Sequence, residues 1–326
     1  MPMVLDLDLF AYPQLDGVHL ISSPRQFEGG EETYDEHIGG AHRENLLRSG
    51  RGAWQLIKHH TTRPVHMMLE IGSGGGTCSL GLVAVAPSVQ TIITDTSPAF
   101  LQMVRRKMKA AGLSTQATIF ATLAGEDLAR LPAESLDAIV IASALHHVGD
   151  WRGFLRDAAA RLRPGGVLVL QEPCREGNLM MGLALDLVLS PLWPTEALDS
   201  MDQERITRCR DSIYFLADST IEKHGEDKHS FLITELIAGA DTAGFGKSYF
   251  YSNGHFHDLA DSDLSRHQGR CSFIEYLDSF LEQHHRVSAA GMQSLRECLF
   301  PLLLRIDARF RAGDGVPLFG CMIFRR

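Results

Sequence analysis

The sequence predicts an α/β protein with a doubly wound, mostly parallel sheet of seven strands and with helical insertions that form a lid. Two observations predict this fold class. Short apolar runs alternate with amphipathic helical stretches over residues 65–173, which is the pattern of consecutive strand–helix–strand units. The run AIVIA at residues 138–142 is apolar throughout, as expected of a parallel strand that is buried on both faces.

The character of the chain changes along its length and divides it into six segments. We expect a helical N-terminal cap, a sheet-forming core, a helical lid insertion, a return to the core, a second helical insertion and a last core strand. In that order they cover residues 1–64, 65–173, 174–228, 229–254, 255–315 and 316–326. In the first segment, a helix from about residue 41 to 60 ends near Pro64, because proline disfavours helical continuation.

Each core element follows from its local sequence. The seven predicted strands contain, in chain order, VHMMLEI, TIITD, QATIFATL, LDAIVIAS, GVLVLQE, GKSYFY and PLFGCMIF. Gly112 ends the helix after the second strand, and the turn Pro164-Gly165-Gly166 ends the helix before the fifth. Ligands of open α/β sheets bind at the carboxyl edge of the strands, so we expect the functional residues there, beneath the lid.

Composition and charge exclude several classes of protein. The 326 residues are 44% apolar and 22% charged, which is typical of a globular enzyme rather than a disordered chain. The formal charge of −9 disfavours a nucleic-acid partner. The most apolar stretch, residues 179–193, contains Asp186 and is shorter than the roughly 20 residues that cross a bilayer, so no membrane span is expected.

The N-terminus and the cysteines predict a cytoplasmic protein. The first residues lack the basic and then apolar pattern of a secretory leader. The cysteines are scattered, without a CxxC pair, at positions 78, 174, 209, 271, 298 and 321. We therefore expect reduced thiols, and neither a disulfide framework nor a zinc site.

A glycine-rich loop, EIGSGGG at residues 70–76, lies directly between the first core strand and a helical stretch. Glycines let the backbone approach a ligand closely, and the following helix N-terminus offers unpaired N–H groups. A dinucleotide fingerprint would need glycine or alanine where the chain has Thr77, and a phosphate-binding P-loop would need a lysine that the loop lacks. The loop therefore disfavours NAD and ATP as ligands.

The loop resembles the E/D-x-G-x-G-x-G signature of class I S-adenosylmethionine-dependent methyltransferases. Four later features resemble that family in the same order: Asp95 at the end of TIITD, Asp127 in GEDL, LDAIV leading into SALHHV, and the turn and strand LRPGGVLVL. The resemblance covers residues 65–173 and the last helix and strands. It implies a Rossmann-like fold with S-adenosylmethionine as the cofactor.

The same resemblance implies which residues hold the cofactor. Asp95 would accept hydrogen bonds from the ribose hydroxyls, and Asp127 would contact the adenine amino group. Carboxylates and close backbone suit a ligand with a ribose and a sulfonium better than lysines would. The predicted cofactor-binding residues are Glu70, Gly72, Ser73, Gly74, Gly76, Asp95, Thr96, Asp127, Leu128 and Ser143.

Three residues are candidates for catalysis. Methyl transfer is an in-line displacement, so the protein aligns the acceptor and can remove its proton. His146 and His147 follow the fourth strand, and Glu172 ends the fifth, which resembles the His and Glu pair of polyketide C-methyltransferase domains. On that resemblance His146 is the base and Glu172 its orienting partner. The alternative is that the histidines pack or cap the loop and that Glu172 caps the following helix.

For the remaining candidate residues the sequence indicates no specific catalytic role. His255 and His257 form an H-x-H pattern without a third ligand, so no metal site is predicted. Tyr34 and His37 precede the core, where segments that close over the cofactor often lie. Apolar residues of the first insertion either line an acceptor pocket or pack the lid, with packing the default: Met180, Met181, Leu185, Trp193, Tyr214 and Phe215.

Together these features predict an enzyme that transfers a methyl group to a small, partly apolar molecule, such as a polyketide-like or other secondary metabolite. Two alternatives stay open. The bound sulfonium could assist a different reaction, such as a rearrangement or a cyclisation. The chain could also be a non-catalytic partner subunit, although its glycine loop and Asp95 are intact. The sequence leaves a homodimer open.

Overall fold

The computed structural model describes residues 11–28, 30–36, 43–191, 193, 198–218, 221, 223, 225–252, 272–312 and 318–326. The strands are β1 (Gln14–Leu15), β2 (Val18–Leu20), β3 (Met67–Ile71), β4 (Gln90–Asp95), β5 (Thr118–Thr122), β6 (Leu136–Ala142), β7 (Leu162–Pro173), β8 (Lys247–Ser252) and β9 (Phe319–Arg325). The helices are α1 (Glu31–Tyr34), α2 (Arg43–His60), α3 (Ser79–Val85), α4 (Pro98–Ala110), α5 (Trp151–Arg161), α6 (Arg175–Val188), α7 (Ser200–Ala217), α8 (Ile233–Thr242), α9 (Phe273–Ser279), α10 (Ala289–Cys298) and α11 (Phe300–Ala312).

The strands form one sheet in the order β1-β2-β5-β4-β3-β6-β7-β9-β8. The pairs from β2 to β7 in this order are parallel, and β9 runs antiparallel to both β7 and β8. The predicted α/β class with a mostly parallel, doubly wound sheet is confirmed, and all seven predicted strands are present as β3 to β9. The order reverses beside β3, which opens a crevice at the carboxyl edge.

The sheet has nine strands rather than seven, because the N-terminal segment contributes a hairpin as well as helices. Asp16 and Gly17 connect β1 to β2, and both have positive φ angles, of 50° and 77°. These conformations are those of the tight type I′ hairpin turn, for which Asp-Gly is a preferred sequence. The hairpin extends the sheet beyond β5, so part of the predicted helical cap belongs to the sheet.

Both faces of the sheet are covered, as the apolar strands predict. In β7, Leu168 and Leu170 join a hydrophobic cluster with α5 and α8, while Val167 and Val169 join a second cluster with α2 and α3. Successive side chains of a strand point to opposite faces, so an uninterrupted apolar run fills two layers. The sheet therefore acts as a rigid platform for the loops at its edge.

The helical insertions form a hydrophobic core of their own. Met181, Leu185 and Trp193 pack there with side chains of α7, α9, α10 and α11. The Tyr214 hydroxyl donates to Asp186 Oδ2 at 2.5 Å, and Phe215 is 46% exposed. The buried contacts of Met181, Leu185 and Trp193 favour the packing interpretation for these residues, whereas Phe215 is largely exposed. Within the ranges given above, the helices lack the combination of length and apolar sequence that a membrane span needs.

Candidate functional site

The glycine loop brings the end of β3 against the end of β6. Gly72, Gly74 and Gly76 have positive φ angles of 68°, 47° and 90°. A Cβ atom on Gly72 would lie 2.5 Å from the Cβ of Ala144, closer than two carbons can approach. Glycine is therefore required at 72 by both conformation and space, and the two loops form one wall of a cavity.

Asp95 ends β4 and holds the glycine loop from the other side. Its Oδ2 accepts from the Gly74 N–H and its Oδ1 from the Ser97 N–H, both at 2.9 Å. Burial raises the pKa of Asp95 to about 6, although the N–H groups of Ser97 and Gly74 oppose the rise. The two backbone N–H groups fix the position of the Asp95 carboxylate. It can still accept further hydrogen bonds from a ligand, because each oxygen has more than one acceptor site.

A cavity of about 320 Å³ lies beside these groups. Five of the predicted cofactor-binding residues line it: Gly72, Gly74, Asp95, Thr96 and Ser143. Ser143 has an unusual positive φ of 50°, and its N–H donates to the Gln171 carbonyl at 2.7 Å. The close backbone and the Asp95 carboxylate fit the ribose of S-adenosylmethionine, so the donor set suits this cofactor.

The N-terminal segment covers the cavity. Phe27, Tyr34 and Phe100 form an aromatic cluster in which Phe27 and Tyr34 have ring centroids 5.1 Å apart, and all three line the cavity. The Ser97 hydroxyl donates to Glu31 Oε1 at 2.5 Å and ties α1 to the end of β4. Tyr34 thus lies where the sequence analysis expected a covering residue.

The other predicted cofactor residues do not line this cavity. Glu70 is 3% exposed and accepts from the Ser79 hydroxyl at 2.5 Å, and its burial raises its pKa to about 7. Ser73, Gly76 and Leu128 shape the loop and core without lining it. Glu70 therefore supports the glycine loop from beneath, through the helix that follows it.

Asp127 does not line the cavity. Its carboxylate accepts from the Ser22 hydroxyl at 2.6 Å and from Arg130 Nε at 2.9 Å. The neighbouring Glu126 lines the cavity instead, and its Oε1 accepts from the Gly149 N–H at 2.7 Å. The contact of Asp127 with adenine stays a prediction, and Glu126 is an additional carboxylate at this end of the cavity.

His146 is fixed by Glu172, as their positions at the ends of β6 and β7 suggested. His146 Nδ1 lies 2.7 Å from Glu172 Oε2, and Glu172 Oε1 accepts from the N–H groups of Ala144 and Leu145. Glu172 is fully buried. Both backbone N–H groups donate to Oε1, and a carboxylate oxygen accepts, so Nδ1 donates its proton to Oε2 and His146 Nε2 is the ring atom left to accept or release a proton.

A segment before α8 completes the site, and its Asp227 is absent from the predicted set. Asp227 Oδ1 lies 3.4 Å from His146 Nε2 and 3.3 Å from His147 Nδ1. The Lys228 N–H donates to the His146 carbonyl at 2.9 Å, which anchors the segment. Asp227 follows His146 by about eighty positions and carries no motif, so only the fold reveals this contact.

The surroundings shift the pKa values of His146 and His147 in opposite directions. Burial alone would lower the pKa of His146, but the charge and hydrogen bond of Glu172, together with the charge of Asp227, outweigh it and raise the pKa. Burial and the charge of His146 lower the pKa of His147, which lines the cofactor cavity. Neighbouring groups with pKa values pushed apart are the usual arrangement for acid–base chemistry.

His146, His147 and Asp227 also offer three potential metal-ligand atoms within 4.8 Å of one another. His147 Nδ1, however, lies 3.0 Å from the Glu226 carbonyl oxygen, which can only accept. That nitrogen therefore carries its proton and has no lone pair for a metal. His37, His255 and His257 lie outside the described residues.

Comparison with known proteins gives mostly methyltransferases. Residues 69–168 match the family model described as a methyltransferase domain. Over 231 residues the chain is 27% identical to the ubiquinone/menaquinone biosynthesis C-methyltransferase UbiE of Cellvibrio japonicus, covering 69% of this chain and 84% of that protein. Over 118 residues it is 39% identical to the fumosorinone synthetase of Cordyceps fumosorosea, covering 34% of this chain and 3% of that protein.

Among solved structures, an S-adenosylmethionine-dependent methyltransferase from Archaeoglobus fulgidus aligns with a TM-score of 0.45 and 13% identity. The alignment covers 90% of this chain and 98% of that protein.

Proposed function

Because this chain belongs to the class I S-adenosylmethionine-dependent methyltransferases, we propose that it methylates a small molecule with His146 as the general base. One observation carries the proposal. His146, which follows β6, is held between Glu172, near the end of β7, and Asp227 of the segment before α8. The adjacent His147 lines the cavity that the glycine loop and Asp95 form. The base thus lies next to the space that fits the cofactor.

The cofactor, when bound, supplies an electrophilic methyl group on its sulfonium. Asp95 would hold the ribose, and the backbone of Gly72 and Gly74 would allow the close approach that a small cavity demands. Tyr34 and Phe27 would exclude water from above, because they close the aromatic side of the cavity.

His146 would remove the proton of the acceptor through Nε2. Its Nδ1–H stays with Glu172, which fixes the tautomer and stabilises the imidazolium that forms. Asp227 adds a second negative charge on the opposite side of the ring. The raised pKa makes the neutral ring a stronger base than a free imidazole, which suits an acceptor that loses a proton when it is methylated.

Acceptors of this kind carry a phenolic hydroxyl or an acidic carbon between two carbonyl groups. The similarity to the ubiquinone/menaquinone biosynthesis C-methyltransferase favours a carbon acceptor on such a molecule. A polyketide-like or other secondary metabolite with a phenol or a β-dicarbonyl group meets this description. A cytoplasmic location and a homodimer stay predictions.

The test is turnover of methyl-labelled S-adenosylmethionine with a panel of phenols, hydroquinones and β-dicarbonyl compounds. We expect label in the acceptor and an equal amount of S-adenosylhomocysteine. A product formed while the cofactor stays intact would favour the rearrangement or cyclisation alternative. Cofactor binding with no turnover across the panel would favour the non-catalytic partner subunit.

A further inference from the structure

A second cavity, of about 430 Å³, lies beside the cofactor cavity at the start of α5 and α6. Ile221, Lys223 and residues 228–231 form its other side, and Lys228 lines both cavities. Arg152, Arg175 and Lys223 also line it. The cavity is therefore rich in cations, in a chain whose formal charge is −9.

Most of this positive charge has no carboxylate partner among the described residues. Lys223 Nζ donates to the Asp218 carbonyl at 2.7 Å, and Lys228 Nζ donates to the His147 carbonyl at 3.1 Å. The guanidinium of Arg152 lies 4.1 Å from the ring centroid of Trp151. These contacts position the cations without neutralising them.

Arg175 is the exception, because its Nη2 lies 3.4 Å from Glu235 Oε2. Glu235 is the single carboxylate among the described residues that line this cavity, against four permanent cations. The lining thus keeps a positive excess. Positive charges confined between protein walls reinforce one another and attract anions.

A buried hydroxyl in the same cavity also lacks a partner. Ser230 is 6% exposed, lines the cavity, and its Oγ makes no hydrogen bond with the described residues. Buried hydroxyls are normally paired, so an unpaired one beside a cavity indicates a missing ligand or water. Arg175 Nε donates to the Ser230 carbonyl at 2.7 Å, which keeps the arginine beside this hydroxyl.

His229 adds a neutral polar group to the lining. Its Nε2 lies 3.0 Å from the Gly149 carbonyl, which can only accept, so Nε2 carries the proton. Burial lowers the pKa of His229, and the nearby charges of Lys223 and Lys228 lower it further. Both lysines thus extend their positive field into the cavity.

From this arrangement we infer that the second cavity is a binding site for a phosphate group. A phosphate carries two negative charges near neutral pH and several acceptor oxygens, which match two arginines, two lysines and a hydroxyl donor. The phosphate belongs either to the acceptor molecule, reaching this cavity past Lys228, or to a free anion. The binding itself does not depend on the proposed methyl transfer.

Calorimetry with inorganic phosphate and pyrophosphate tests the site directly. The double variant Arg152→Gln/Lys223→Gln removes two lining cations, and we expect it to weaken binding at least about tenfold, since two charge-assisted contacts are lost. Arg156→Gln is the matched control, because Arg156 lies one turn along α5, pairs with Asp150 and does not line this cavity.

Equal binding by the wild type and the double variant would overturn the proposal, as would the absence of heat with either anion. Unfolding temperatures of all three proteins guard against a folding defect, and Lys223→Gln alone serves if the double variant is unstable. Tighter binding of pyrophosphate than of chloride or acetate is also expected, and equal affinities would contradict a phosphate site.

Pairs of acceptors that differ only by a phosphate ester distinguish the two sources of the phosphate. A lower KM for the phosphorylated member, lost in the double variant, would place the phosphate on the acceptor. Equal KM values together with retained phosphate binding would assign the site to a free anion. Failure of all methyl transfer would leave the calorimetric result intact, so the two proposals fail separately.

Discussion

The two ends of the candidate site differ in how the chain builds them. The end proposed to hold the cofactor is local: Gly74 contacts Asp95, twenty-one positions away, and Asp95 contacts Ser97. The end proposed for catalysis joins three distant pieces, since Glu172 lies twenty-six positions after His146 and Asp227 belongs to the segment before α8. Contacts between residues that are close in the sequence leave a motif, whereas contacts between distant segments become visible only in the folded structure.

The arrangement of the glycine loop and Asp95 could be predicted from the sequence because backbone geometry constrains these residues, while their role in cofactor binding stays a prediction. Gly72 must be glycine to fit against Ala144, and Asp95 must end its strand to reach the glycine loop. Such constraints leave a short pattern with fixed spacing. The alternation of apolar runs similarly predicted the sheet, because both of its faces are buried.

Other features left no comparable pattern. Asp227 could not be predicted because its partners lie on a different part of the chain, and the segment that carries it has no periodicity. The hairpin β1–β2 did leave a signal, Asp16-Gly17, but its strands are only two and three residues long. Asp127 and Glu126 are adjacent in sequence, and only the structure shows which of them lines the cavity.

The largest expected effect lies at the catalytic end. If His146 is the base, His146→Ala should lower kcat by about a hundredfold to ten-thousandfold, the usual contribution of general base catalysis. Affinity for S-adenosylhomocysteine, measured by calorimetry, should stay within about twofold, because His146 does not line the cofactor cavity. His59→Ala, at an exposed histidine of α2, is the control. An unchanged kcat would show that His146 packs against its neighbours and does not act as the base.

The cofactor end should respond in binding rather than in chemistry. Asp95→Asn removes the charge that strengthens hydrogen bonds to the ribose, and cofactor affinity should fall about tenfold to a hundredfold. Asp127→Asn is the informative comparison, because Asp127 binds Ser22 and Arg130 rather than lining the cavity. A larger loss at Asp127 than at Asp95 would reverse the ranking that the geometry suggests.

Cofactor affinity should also depend on pH through Asp95. Burial raises the pKa of this carboxyl to about 6 in the free protein, so below that pH a proton must leave before the charged form can accept hydrogen bonds. Affinity should therefore rise about tenfold from pH 5 to pH 7 and level off above that range. Calorimetry in matched buffers measures the change, and Asp95→Asn should flatten it. A steep rise retained in that variant would assign the titration to another group.

The smallest effect is expected from Asp227, the residue through which the segment before α8 contacts His146. Asp227→Asn removes a charge that helps Glu172 to raise the pKa of His146, so that pKa should fall. The base is active when neutral, and the acid limb of the kcat profile should therefore move to lower pH.

The shift should be less than one pH unit, because the Asp227 side chain is 48% exposed and water screens its charge. Glu172→Gln should move the limb further, since Glu172 is buried and contributes more to the pKa of His146. Glu126→Gln, whose carboxylate accepts from the Gly149 N–H and is not among the groups that shift the pKa of His146, should leave the limb in place. If Asp227→Asn also leaves it in place, the segment before α8 covers the site without tuning its base, and the catalytic end reduces to the His146–Glu172 pair.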